Sequence, residues 1–83
     1  MPFSVVQLPG IDDILARLWV DSSDPAAITA AFDRAEHALR FAPDSAGIDC
    51  GSHRELTVPP LTVAYTFSPD DCMVTIIDIQ LSN

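Results

Sequence analysis

The chain contains no lysine. Its positive charge rests on Arg17, Arg34, Arg40 and Arg54, against twelve acidic residues, for a formal net charge of −8. Proteins that bind nucleic acid draw most of their affinity from Lys and Arg neutralising phosphates, so this shortage argues against direct contact with RNA or DNA. An acidic surface of this kind suits a basic partner. Long apolar runs are also missing, and nothing approaches the roughly 20 residues of a bilayer span. The opening MPFSVVQLPG has no basic n-region, and its short apolar run is broken by Pro9. Neither signal peptide nor membrane anchor is expected, and a cytoplasmic location is. Cysteine is scarce: with only Cys50 and Cys72 and no secretory context, both are expected to be free thiols. There is no Cys-x-x-Cys and no His-x-x-x-His, and His37 and His53 stand apart, so no metal site and no cofactor is expected.

Apolar residues make up 48% of the chain and are spread along it, which marks it as globular despite its charge. Eighty-three residues give room for one domain, 1–83, with one modest core. FSVVQL, Phe3 to Leu8, is β-rich and ends at the turn signal Pro9-Gly10. From there Ile11, Ile14, Leu15, Leu18 and Trp19 recur at helical spacing, predicting a helix with all five on its core stripe. Asp24-Pro25 reads as an N-cap followed by a proline at the first helical position. The helix it opens carries Ile28, Ala31, Phe32, Ala35 and Leu39 inward, and places His37 on the surface.

After the loop Pro43 to Ser52 the period changes to two. Arg54, Leu56 and Val58 share one face of a strand; His53, Glu55 and Thr57 share the other. Beyond Pro59-Pro60, Leu61, Val63, Tyr65 and Phe67 alternate with Thr62, Ala64 and Thr66. In the last strand, Met73 to Leu81, strict alternation groups Ile77, Ile79 and Leu81 on one face and Val74 and Ile76 on the other. The order βααβββ predicts an α+β fold in which a helical hairpin packs on one face of a small, mainly antiparallel four-stranded sheet. The other face is left open. Thr57, Thr62, Ala64, Val74 and Ile76 would form a weakly polar platform there, suited to a protein partner.

Tyr65 has core parity, so its ring is expected inside with the hydroxyl bonded at the edge. Arg54 is expected to snorkel or to meet an acidic group. His53, Arg54 and Glu55 are the catalytic candidates, since His53 and Glu55 lie two apart on the open face, within reach of one another for acid/base work.

Three stretches in order carry a resemblance to a known family: FSVVQL, the helical AITAAFDRAEHALRFAPDSAG, and RELTVPPLTVAYTFSPDDCMVTIIDI. Together they resemble the RelE/ParE-type toxins of bacterial type II toxin-antitoxin pairs, over essentially the whole length. The resemblance implies either mRNA cleavage on the ribosome or poisoning of DNA gyrase, and a cognate antitoxin that wraps over sheet and helices. Its ribonuclease branch works through cations on the open sheet face. Carried over by position, His53 and Glu55 stand where that branch has lysines, Thr62 stands where it has its arginine, and the chain ends in QLSN before a basic C-terminal segment. The expectation is therefore a toxin-like protein acting through protein contacts, on a gyrase-like or other target, with an antitoxin or a second copy as partner. The alternatives are a non-toxic interaction module that keeps the fold, and a ribosome-dependent mRNA endonuclease.

Overall fold

The computed structural model describes residues 2–82; Met1 and Asn83, the outer limits of the expected domain, lie outside them. Strand β1 (Ser4–Gln7) is followed by a turn at Gly10, whose φ of 95° is a left-handed conformation that glycine adopts without a Cβ clash. Helix α1 (Ile11–Asp21) begins there, with Asp12 and Asp13 in its first turn at the positive end of the helix dipole. Helix α2 (Pro25–Phe41) starts as its sequence specifies: the Asp24 carboxylate accepts from the Ala27 amide at 3.2 Å, and Pro25 fills a position whose N–H would go unused. Asp24→Ala should therefore lower stability by about 1 kcal/mol, read as a shift in the urea midpoint with unchanged slope.

The segment read as a plain loop contains a single helical turn, α3 (Pro43–Ala46), and a two-residue strand, β2 (Ile48–Asp49). Strands β3 (Arg54–Val58), β4 (Leu61–Ser68) and β5 (Met73–Leu81) come next as a meander, with Pro59-Pro60 joined by a cis peptide bond. The sheet thus has five strands, in the order β1-β5-β4-β3-β2, where the sequence predicts four. Two residues cannot display a period, so β2 leaves no pattern to find. Only β1 runs parallel to its neighbour, pairing with β5; the other pairings are antiparallel.

One face of this sheet lies under the helices. Leu61, Val63 and Tyr65 of β4 and Val74, Ile76 and Ile79 of β5 join Ile28, Ala31, Phe32, Ala35 and Leu39 of α2 and Ile11 of α1 in one core. The whole predicted inner stripe of α2 is buried. Val74 and Ile76 correct the sequence reading, which puts them on the open platform; both are fully buried beneath the helices. The cause is a bulge. Ala64 pairs with Asp78 but Tyr65 pairs with Ile76, so Ile77 is an extra residue and the facing of β5 changes there. Before the bulge the even positions 74 and 76 point inward; after it the odd position 79 does. Strict alternation cannot register such an insertion.

Trp19 also departs from expectation. It remains 49% exposed, because α1 lies at the periphery and only Ile11 of its stripe is fully buried, with Ile14, Leu15 and Leu18 packed against the margin of the core. Among the described residues no helix is long and apolar enough to cross a membrane.

Candidate functional site

The open face is built from the positions that the core leaves over. Glu55, Ala64 and Asp78 stand in one row across β3, β4 and β5, because Ala64 pairs with Glu55 on one side and Asp78 on the other. Thr57 and Thr62 form the next row, their hydroxyl oxygens 3.3 Å apart. His53, Glu55, Thr62, Ala64, Ile77, Asp78 and Gln80 line a shallow depression of about 340 Å³. Of the five platform positions expected here, Thr57, Thr62 and Ala64 fit the facing of their strands, while Val74 and Ile76 belong to the core. Ile77, which sequence reasoning placed toward the helices, takes their place. Asp78 and Gln80 complete the floor, with the Gln80 amide donating to the Asp78 carboxylate at 3.0 Å.

The catalytic candidates separate. His53 and Glu55 come together, with His53 Nε2 3.1 Å from Glu55 Oε2 and Ser52 Oγ 3.1 Å from His53 Nδ1. Such a pair can hold or pass a proton. Arg54 faces the other way. Its Nη2 donates to the Gly47 carbonyl at 2.6 Å and its Nε to the Tyr65 hydroxyl at 3.3 Å. Tyr65 in turn donates to the Pro43 carbonyl at 2.6 Å, so a single hydroxyl both accepts and donates. Tyr65 is the expected core tyrosine. Arg54 meets a carbonyl and a phenol rather than an acidic group, and it ties α3 and the segment after it to β3 and β4.

Charge on the open face is set by this arrangement. Arg17, Arg34 and Arg40 sit on the helices, which cover the opposite face, and Arg54 is committed to Gly47 and Tyr65. The face therefore carries the carboxylates of Glu55 and Asp78 and no arginine or lysine. A phosphate approaching it would meet like charge, without the donors that stabilise a developing negative charge in phosphoryl chemistry.

Cys50 escapes the sequence reading, yet it joins His53 and Glu55. The Cys50 amide donates to the His53 carbonyl at 2.8 Å, which makes these residues opposite partners at the mouth of the β2–β3 hairpin. Gly51 and Ser52 form the two-residue turn. Gly51 supplies a φ of 96°, and its amide is held by the Asp49 carboxylate at 2.8 Å. Cross-strand partners project to one side, and Glu55 lies two residues on from His53 on that same side. Ligand atoms from all three residues lie within 4.8 Å of one another. The legible signal is Cys50-x-x-His53, a mixed spacing that a search for Cys pairs or His pairs passes over.

A second surface is the cleft between α1 and α2, where Leu15, Trp19, Ile28 and Phe32 form an apolar floor rimmed by Asp12 and Asp33. It accounts for the half-exposed indole.

No protein-family model matches the sequence, and a search of curated proteins returns no sequence match. Comparison of structures shows the fold alone, and it is RelE/ParE-like. The toxin of the RelBE2 toxin-antitoxin complex from Mycobacterium tuberculosis superposes with a TM-score of 0.78 over 98% of this chain and 92% of its own, at 15% identity. The toxin of the chromosomal ParDE system from P. aeruginosa gives a TM-score of 0.65 over 98% of this chain and 97% of its own, also at 15% identity.

Proposed function

We propose that the chain is the toxin-like member of a toxin-antitoxin pair, acting in the cytoplasm through protein contacts and without ribonuclease activity. The observation that carries the reading is an end-to-end toxin fold combined with an open sheet face that has two carboxylates and no Arg or Lys. The fold supports a toxin-antitoxin context. The missing cations remove the electrostatic means of holding a scissile phosphate. An antitoxin is the proposed partner, with basic and apolar side chains to match the acidic-rimmed cleft between α1 and α2.

The same acidic face supports a second reading, a non-toxic binding module that keeps the fold alone. Growth after tight induction in a bacterial host, with soluble expression checked in parallel, separates the two. Arrest relieved by co-expression of an adjacent gene product is expected. Normal growth with abundant soluble protein would favour the module. In a translating extract the purified chain should give no codon-linked mRNA cleavage, and cleavage there would overturn the protein-contact reading.

A further inference from the structure

We propose that Cys50, His53 and Glu55 form a binding site for a borderline divalent transition-metal ion, with Zn²⁺ as the natural occupant. The site does not depend on the chain's being a toxin. Its geometry is a product of the hairpin. The Gly51-Ser52 turn sets Cys50 opposite His53, and the pleat brings Glu55 to the same side. The three ligand atoms lie within 4.8 Å of one another, and the His53 Nε2 to Glu55 Oε2 separation is 3.1 Å. Across a tetrahedral zinc shell with N, O and S ligands such separations are roughly 3.3–3.7 Å, so the pair needs to open by only a few tenths of an ångström and the thiol, within 4.8 Å, needs to rotate inward. Cys50 is exposed and its sulfur has a single long contact, 3.6 Å to the Ile48 carbonyl, which leaves it free to turn.

Chemistry selects the ion. One thiolate, one imidazole and one carboxylate make a mixed S, N, O set that suits zinc and its first-row neighbours, whereas Mg²⁺ and Ca²⁺ demand more oxygen ligands. A thiolate and a carboxylate together balance the dication, and the chain's net charge of −8 adds a favourable field. Outer-shell support is present as well. Ser52 Oγ lies 3.1 Å from His53 Nδ1, where it can accept that N–H and hold Nε2 as the metal-facing atom. With three protein ligands, the fourth position is open to water or to a partner's side chain, at the rim of the acidic face.

Titration of the reduced 83-residue chain with Co²⁺ tests this directly. One equivalent should produce a thiolate-to-cobalt charge-transfer band in the near ultraviolet, and Zn²⁺ should abolish it by displacement. Cys50→Ser should remove the band, and Cys50→Ser and His53→Gln should each weaken Zn²⁺ binding by more than the roughly 10–100-fold that loss of an outer-shell partner costs. Cys72→Ser should leave band and affinity unchanged. Circular dichroism of each variant guards against loss of fold, which is not expected at an exposed hairpin end. No band in the wild-type chain, a band that survives Cys50→Ser, or Zn²⁺ affinity indifferent to both ligand substitutions would overturn the site and assign any binding to the acidic surface at large.

Discussion

Ile76→Ala should destabilise the chain by about 2–5 kcal/mol, whereas Ile77→Ala, one residue on, should cost at most about 1 kcal/mol. Ile76 is fully buried in the core beneath the helices, while Ile77 is only partly covered and borders the open face. Truncating the first leaves a cavity in a core that cannot fully relax; truncating the second chiefly exposes or removes surface at the margin. Urea denaturation of the two variants beside the parent chain measures the contrast. Equal costs, or the larger cost at Ile77, would place the bulge elsewhere and restore the simple alternation of β5.

Gly47→Ala is expected to be the other strongly disruptive change, at about 2–3 kcal/mol. Backbone conformation is not the reason, since Gly47 has an ordinary extended φ of −120°. Space is: an added Cβ would lie 2.7 Å from the Glu55 carbonyl oxygen and 2.8 Å from the Tyr65 hydroxyl. Neither neighbour yields easily, one being strand backbone and the other a hydroxyl fixed by Pro43 and Arg54. Tyr65→Phe alone should cost about 1–3 kcal/mol, because it strands the Pro43 carbonyl and takes an acceptor from Arg54. The two substitutions share an atom, so their costs should not add. With the hydroxyl gone, Gly47→Ala should become cheaper, though the clash with the Glu55 carbonyl persists. Strict additivity in this double-mutant cycle would mean that the close approach at Gly47 does not involve the tyrosine.

How much is legible in the sequence depends on whether a pattern has room to declare itself. The five inward residues of α2 repeat over about three turns, and all five are buried as expected. The parity of β4 is equally plain: Leu61, Val63 and Tyr65 lie in the core, and Thr62 and Ala64 lie on the open face. The failures have local causes. A one-residue insertion at Ile77 reverses the facing of residues 73–76 relative to residues 78–81, and no composition signal marks it. Trp19 obeys helical spacing faithfully, but spacing says which residues share a stripe and not how far the neighbouring layer extends over it. At the site, His53 and Glu55 are legible because they are two apart on one strand. Cys50 is not, because its approach depends on a hairpin whose first strand is only two residues long.

The parallel pairing of β1 with β5 sets an order of events for the newborn chain. Ser4 is registered with Met73, so β1 has no ladder to join until β5, which follows the other strands of this sheet in the chain, has emerged. Until the β3–β4–β5 meander has formed, the amphipathic hairpin of α1 and α2 can form from local contacts, but its inward stripe has no sheet to cover it. Closing so long a loop makes this contact late and slow relative to the β3–β4–β5 meander, whose turns are short. The vulnerable interval is the one in which Ile28, Phe32 and Leu39 are exposed on an otherwise finished helix, and a chaperone or partner acting on the growing chain would meet that stripe before it met the completed surface.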